Sequence, residues 1–500
     1  MKYTELQNGS DIRGVAMEIA GGKPVNLTMD AAKDLTKAFV LWIAKKTGKK
    51  QDELTIALGR DSRVTGPEFI KVCTEAAAKY GCKVFDCGMA TTPAMFMATV
   101  FDDFACDGSI MFTASHLPSE RNGMKFFTKE GGLDKKDITE LITLAEELPK
   151  FAGNKGKVLP KDLMTAYSNH LKNLICRGLS SKEEERPLSG LKILVDAGNG
   201  AGGFYVSKVL EPLGADCTGS QFLEPDGYFP NHQPNPENKA AMESICSAVQ
   251  KYSPDLGVIF DTDVDRSSAV DEKGREIARN RIVALAAVIA SEGHGGTTIV
   301  TDSITSPQLA EFLTKDLGLK HLRFKRGYKN VINKGIELNK EGIDCQLAIE
   351  TSGHAAMKEN YFLDDGAYLA TKIVIKAAQL KKEGKSISSL LESLKDPKEA
   401  VEIRFNVNCE DFSDYAQNVL DDLRAAVEEG KFKGFSLELP NYEGVRVNAD
   451  EKSGNGWFLM RKSLHDPVIP LNIESDEEGG VEKINKIILD FLKSYDKVLS

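Results

Sequence analysis

Two hydrophobic periods alternate along this chain, and each change of period marks an element boundary. Three short apolar runs have the look of buried strands: Thr55-Ile56-Ala57-Leu58, Ile193-Leu194-Val195 and Thr298-Ile299-Val300. Each leads into a turn rich in Gly or Asp, then into a stretch of helical spacing that stops at a glycine, at Gly81, Gly214 and Gly318. The chain beyond each helix can return as a parallel strand, because right-handed βαβ crossovers are the default. This loose repeat predicts an α/β protein with three related domains in tandem and mixed sheets. After about residue 398 the character changes. Val401–Val407 alternates like a half-buried strand, Tyr415–Val427 has helical spacing, and Ile484, Ile487, Ile488, Phe491 and Leu492 line one face of a final helix. A smaller C-terminal α+β domain is expected there. The predicted division is 1–155, 156–277, 278–398 and 399–500, with the four parts around a central cleft.

Length and composition narrow the function classes. Five hundred residues suit three or four domains, and 41% apolar with 28% charged residues is a globular composition. The longest near-continuous apolar stretch, Ile282 to Ala290, is too short to cross a bilayer, and the first residues lack the apolar core of a secretory signal. Nine cysteines without a C-x-x-C pair point to reduced thiols in the cytoplasm. A net charge of −10 argues against nucleic acid or anionic membrane as partner. A phosphate ligand would therefore need a local basic pocket, for which Arg13, Arg60, Arg63, Lys125, Arg266 and Arg461 are candidates.

Four loops follow apolar runs and carry chemistry-bearing residues. Thr113-Ala114-Ser115-His116-Leu117-Pro118 comes after Ile110-Met111-Phe112, where the carboxyl end of a strand in an open α/β sheet places ligands. A serine there can accept a covalent phosphate, although a solvated turn looks much the same. Asp261-Thr262-Asp263-Val264-Asp265-Arg266 follows Leu256–Phe260, and three alternate carboxylates can fold over one hard cation. An EF-hand is excluded, because Arg266 stands where its turn needs glycine and a strand precedes the loop. An aspartyl-phosphate enzyme with Asp261 as nucleophile remains an alternative. Glu350-Thr351-Ser352-Gly353-His354 suits sugar hydroxyls or, equally, a helix cap. Arg461-Lys462-Ser463-Leu464-His465-Asp466-Pro467 has the cations and hydroxyl of a phosphate anchor. Gly198–Gly203 satisfies G-x-G-x-x-G, but no acidic residue ends a following strand, so a tight turn is preferred over a dinucleotide site.

The order of these motifs, TASHLP, DTDVDR, ETSGH and RKSLHDP, one per expected domain, resembles the α-D-phosphohexomutases, in particular their phosphomannomutase/phosphoglucomutase branch. Ser10-Asp11-Ile12-Arg13-Gly14 and Gly59-Arg60-Asp61-Ser62-Arg63 extend the match over nearly the whole chain. The resemblance implies that hexose 1-phosphate and hexose 6-phosphate, of glucose or mannose, interconvert through a phosphoserine enzyme and a hexose 1,6-bisphosphate, which also acts as activator. It assigns catalysis to Ser115, Lys125, Arg13, His116, Arg266 and Tyr328. Mg²⁺ would be held by Asp261, Asp263, Asp265 and the phosphate on Ser115. Glu350, Ser352, His354 and Lys329 would bind sugar, and Arg461, Ser463 and His465 the phosphate not being transferred. The expected partners are small sugar phosphates, and the expected assembly is a monomer or homodimer.

The chain departs from the family pattern at several places. Thr262 stands where glycine is usual, Ser10 where tyrosine is common, Ser303 where many relatives carry lysine, and Tyr328 where histidine follows the glycine. Leu464 and His465 replace a small polar residue and a threonine, and Pro470 falls where a second arginine is frequent. Phosphoglucosamine mutase, a metal-dependent sugar phosphatase and a non-catalytic sugar-phosphate-binding relative are the alternative readings.

Overall fold

Strand Thr55–Arg60 is apolar on both faces, which suits a central position between parallel neighbours. It pairs in parallel with Lys83–Met89 on one side and Gly108–Phe112 on the other. The sheet continues antiparallel through Arg121–Thr128 to Asp11–Val15, while Val158–Pro160, past the expected boundary at 155, adds in parallel beyond Lys83–Met89. The computed structural model describes residues 3–149, 153–463 and 467–499. Helices Met29–Thr47 and Gly66–Lys79 bury Phe39, Trp42, Phe69 and Ile70 against Ile56, Leu58, Ile110 and Phe112 of this sheet.

The second sheet is mixed. Leu256–Phe260 runs parallel to Ile193–Asp196 and antiparallel to Ser267–Val270, and helix Lys239–Tyr252 covers it with Met242, Ile245 and Val249. Two sequence expectations are modified here. The stretch before Gly214 forms a π segment, Tyr205–Leu210, in place of the expected α-helix, and just before it the Gly203 backbone lies against Leu223, where a Cβ would come within 2.1 Å of the carbonyl oxygen. Beyond Gly214 the return is reduced to isolated bridges at Asp216 and Gln221. The Ser220 hydroxyl accepts from the Val195 amide and so takes a place that a ladder bond would have filled.

The chain divides into two compact units, the first comprising the residues up to Ile289 with Ser352–Leu391, the second Ala290–Thr351 with the residues from Glu392 onward. In the second unit, Thr298–Thr301 lies between parallel partners Lys320–Arg323 and Cys345–Ile349. The helix expected up to Leu317 is Pro307–Glu311, continued by a π segment, Phe312–Asp316. The C-terminal part is a six-stranded sheet in which Glu399–Val407 and Gly456–Met460 flank Val468–Ser475. Helices Phe412–Glu428 and Gly480–Leu492 bury Leu420, Leu423, Ile484, Ile488 and Leu492 on it. Among the described residues, no helix is long and apolar enough to cross a membrane.

Candidate active site

Strand Gly108–Phe112 is fully buried and ends where the chain turns sharply into Ser115. Ser115 adopts φ 51°, a left-handed conformation that costs a non-glycine residue energy and persists only under surrounding constraint. The constraint is visible. Thr113 Oγ1 accepts from the Ser115 amide at 2.9 Å. The buried Arg63 guanidinium donates to the carbonyls of Ser115, Leu117, Pro118 and Arg121, pinning the loop from below. Arg63 was a candidate for binding phosphate. Its Nη donors are instead committed to backbone, so it is a scaffold for the serine loop.

Ser115 Oγ is buried, donates to Asp261 Oδ2 at 3.0 Å and lies 3.2 Å from His116 Nδ1. Arg266 Nη2 approaches the same oxygen at 3.4 Å. Arg266 is held by Asp261, which receives its Nε at 3.2 Å, and by Asn235 Oδ1 at 3.1 Å. Burial, then Arg266 and Arg13, push the His116 ring down to about 2, so it is a neutral neighbour of the serine at physiological pH. Arg13 sits in strand Asp11–Val15 with its Nη2 3.0 Å from Asp11.

The three aspartates of the acidic loop are fully buried, with ligand oxygens within 4.8 Å of one another. Val264 between them has φ 65°, a rare state for a β-branched residue. Close backbone packing enforces it. A Cβ on Gly200 would fall 2.6 Å from the Thr262 carbonyl oxygen, and one on Gly366 2.5 Å from the Arg266 carbonyl carbon. The glycine-rich turn after Ile193–Asp196 therefore serves the acidic loop, with the Ala201 amide donating to Thr262 O at 2.8 Å. This is a role the motif pattern did not suggest.

Burial, with Asp265 and Asp263 beside it, raises the Asp261 carboxyl well above its ordinary range. Asp265 is held low despite burial by Lys125, His354 and Arg266. Lys125 donates to Asp265 Oδ2 and lies 3.5 Å from Asp263 Oδ2. Thr92 Oγ1 donates to Asp263 Oδ2. The Oδ1 atoms of Asp263 and Asp265 are buried without a hydrogen-bond partner among the described residues. Orphaned carboxylate oxygens, clustered and desolvated, fit a divalent cation with oxygen ligands.

Of the expected sugar loop, Ser352 and His354 belong to the first unit. No helix follows, only strand Ala355–Met357, so the cap reading is set aside. Ser352 Oγ is buried with no partner among the described residues. His354 Nδ1 lies 2.6 Å from Asp364 Oδ2 and 3.8 Å from Asp265 Oδ1. Burial opposes its charge, but these two carboxylates outweigh it and raise the imidazole to about 9. Asp364 went unnoticed in the sequence, because Asp364-Asp365-Gly366 reads as a helix start. Asp365 does cap that helix, accepting from the Tyr368 amide at 2.8 Å.

The second unit holds Glu350, Tyr328, Lys329, Arg461 and Ser463. Glu350 is buried and accepts from the Gly327 amide at 2.6 Å, which fixes the turn carrying Tyr328 and Lys329. Thr351 Oγ1 donates to Asp302 at 2.8 Å. Arg461 leaves strand Gly456–Met460 with its amide on the Pro470 carbonyl at 3.0 Å, and the Ser463 amide reaches Val468 at 3.3 Å. Leu464 and His465 lie outside the described residues.

Successive segments match the phosphoglucomutase/phosphomannomutase alpha/beta/alpha domains I, II and III over residues 4–148, 165–274 and 278–397. A phosphoglucomutase of Neisseria gonorrhoeae is 31% identical over 477 residues, 95% of this chain and 94% of that protein. The chain belongs to the phosphoglucomutase/phosphomannomutase family. A phosphoglucomutase/phosphomannomutase of Thermococcus kodakarensis is 30% identical, covering 93% of this chain and 94% of the relative. A crystal structure of a family protein from Burkholderia thailandensis superposes with a TM-score of 0.78 at 25% identity, covering 99% and 98% of the two chains. The family's proteins are isomerases that act by phosphoryl transfer.

The Arg63 clamp carries a direct consequence. Arg63→Met would strip four carbonyls of their donor and leave buried Asp61, 3.5 Å away, without its cation. Breaking a buried pair of this kind costs about 3–5 kcal/mol. Denaturant unfolding of the variant is expected to show that loss together with a fall in turnover of more than tenfold. An unchanged midpoint and rate would remove Arg63 from the support of the serine loop.

Proposed function

We propose that this chain is a Mg²⁺-dependent phosphohexomutase of the cytoplasm that interconverts the 1- and 6-phosphates of glucose or mannose. The observation that carries the reading is Ser115 itself, a buried, conformationally constrained serine held between Asp261, His116 and Arg266. Nine free cysteines agree with a reducing compartment, and the four-part division at 155, 277 and 398 is kept as part of the proposal.

In this reading Ser115 Oγ carries the phosphoryl group, acquired from a hexose 1,6-bisphosphate. The bond from phosphorus to Ser115 Oγ breaks as one forms to the free hydroxyl of the bound hexose monophosphate. Lys125 Nζ is the general acid/base in this reading, taking the hydroxyl proton in its neutral amine form and becoming the ammonium. After the bisphosphate reorients, its other phosphoryl group returns to Ser115 and the proton to the sugar oxygen. Arg266 and Arg13 offset charge on the moving group, beside a neutral His116. Asp261, Asp263 and Asp265 would hold Mg²⁺, which supplies charge neutralisation at the phosphoryl oxygens. Glu350, Ser352, His354, Tyr328 and Lys329 engage the sugar, and Arg461, Ser463 and His465 the second phosphate. Such a reaction needs positioning and charge more than covalent chemistry from the protein.

The phosphatase alternative requires Asp261 as nucleophile. Both its oxygens are already hydrogen-bonded, Oδ1 to the Arg266 amide and Oδ2 to Ser115 and the Arg266 side chain. Phosphopeptide mapping after incubation with glucose 1,6-bisphosphate and Mg²⁺ distinguishes the two. The mutase reading expects an acid-stable phosphate on Ser115. A hydroxylamine-labile phosphate on Asp261 would overturn it.

A further inference from the structure

Segment 231–238, in the first unit, is neither strand nor helix, and His232 is its one buried polar side chain. Its Nε2 lies 3.1 and 3.0 Å from the two oxygens of Asp196, the last residue of strand Ile193–Asp196. Its Nδ1 lies 3.0 Å from the Gln233 carbonyl oxygen. Asp196 is an acceptor at both oxygens, because the Gly198 amide reaches Oδ1 at 2.9 Å and Gln221 Nε2 reaches Oδ2 at 2.7 Å. Both ring nitrogens of His232 therefore face acceptors. A neutral imidazole has one N–H and one lone pair and satisfies only one of these contacts, whereas the imidazolium satisfies both. Burial opposes that charge, but Asp196 and the Gln233 carbonyl outweigh it and raise the ring above the ordinary histidine value. Among the described residues, Asp196 is the charged group that acts on the ring. Its other sides are closed by the edge-on Phe222 ring at 5.2 Å and by Gly198, where an added Cβ would lie 3.3 Å from the imidazole.

The same segment grips both sides of Ser115. Gln233 Nε2 donates to the His116 carbonyl at 2.7 Å, one residue past the serine. Asn235 Oδ1 accepts from Arg266 Nη1 at 3.1 Å, and Nη2 of that guanidinium is 3.4 Å from Ser115 Oγ. The Gln233 carbonyl that faces His232 also accepts from the Asn235 amide, at 2.8 Å. Imidazole, Gln233 and Asn235 thus meet at one oxygen, and Pro234 between the last two restricts the backbone. The ends of the segment are tied down separately. Asn231 Nδ2 donates to Asn199 Oδ1 at 2.8 Å, and Asn238 caps helix Lys239–Tyr252 by accepting from the Ala241 amide at 3.1 Å. Between those ends, His232 is the anchor to the sheet.

We propose that His232 is a positioning residue for phosphoryl transfer: paired with Asp196, its imidazolium fixes the segment that sets Arg266 and the His116 carbonyl beside Ser115. The proposal rests on the phosphohexomutase reading and adds to it a residue that acts through Gln233 and Asn235 rather than on the reacting atoms. Loss of the ring proton leaves a lone pair against an acceptor, so either the Asp196 or the Gln233 contact is given up. The direction with pH follows from the raised value. The charged ring stabilises the segment in full below the free-histidine value, about 6.5, and that contribution is lost as pH rises through the folded value. The hold on Ser115 therefore weakens on the alkaline side and persists on the acid side.

The test uses the full-length protein with isotope-labelled histidine nitrogens and reads the His232 ring by NMR, assigned through the signals missing from His232→Gln. Both nitrogens are expected to be protonated at pH 7, with that signature lost only above the ordinary histidine range. A neutral ring at pH 7 overturns the proposal. Turnover of glucose 1-phosphate is measured alongside, per phosphorylated Ser115, so that unfolded chains do not count. His232→Ala is expected to lower kcat by about tenfold or more with KM within about twofold. His232→Gln, whose amide can still donate to Asp196, should recover part of the loss. A role in folding alone would lower the melting temperature and leave kcat per phosphoserine unchanged, and that result with an active parent chain overturns this proposal by itself. A parent chain that turns over no glucose 1-phosphate would sink the mutase reading and the positioning role with it, while the nitrogen signals would still report the charge on His232.

Discussion

Ser115→Ala should lose turnover by about 10⁴-fold or more while keeping its affinity for hexose phosphates. The expectation follows from where the hydroxyl sits. Its oxygen lies between a carboxylate at 3.0 Å and a guanidinium at 3.4 Å, and the loop's backbone is fixed through carbonyls rather than through the side chain. Removing the hydroxyl therefore deletes the phosphoryl acceptor without loosening the loop. The left-handed φ of residue 115 is tolerated by alanine no worse than by serine, so folding should change little. A stopped assay of glucose 1-phosphate conversion, paired with calorimetric binding, reads both halves. Substantial residual turnover would mean that another group carries the phosphate.

The second large effect belongs to Asp263, and it has two signs. Asp263→Asn should lower kcat by about 10²-fold or more and raise the Mg²⁺ concentration for half-activation, because one of three clustered oxygen donors loses its charge. In the presence of a chelator the same variant should unfold at a higher temperature than the parent chain. The buried carboxylates repel one another, as the raised Asp261 group records, and Lys125 and Arg266 offset only part of that charge. Neutralising one member relieves a cost that the cation otherwise removes. A metal titration and a melting curve with and without chelator suffice. If half-activation is unmoved and the chelated variant melts no higher, the acidic loop does not hold the metal.

The elements nearest the chemistry were the most legible. Gly108–Phe112 and Leu256–Phe260 are uninterrupted apolar runs because they are buried on both faces, and the loops after them carry Ser115 and the three aspartates in one short stretch each. The amphipathic last helix was equally readable, since Ile484, Ile488 and Leu492 all turn inward. The segments before Gly214 and Gly318 were less so. Helical spacing of apolar residues does not distinguish α from π turns, and both segments, Tyr205–Leu210 and Phe312–Asp316, are π.

What the sequence determined by itself was which chemistry is available: a serine after a buried strand, three alternate aspartates, a sugar-type loop and a basic loop, in an order that resembles one family. These are local properties, written in residue type and spacing. What only the tertiary structure decided was which charges are spent and which are held ready. Arg63 and Arg266 look alike in the sequence, yet one gives its Nη donors to four loop carbonyls and the other reaches the Ser115 hydroxyl. Asp364 reads as part of a helix start and becomes the partner of His354. The physical reason is the same in each case. A charged side chain acquires its role from the acceptors and the solvent that folding leaves around it, and those come from residues far away in the chain.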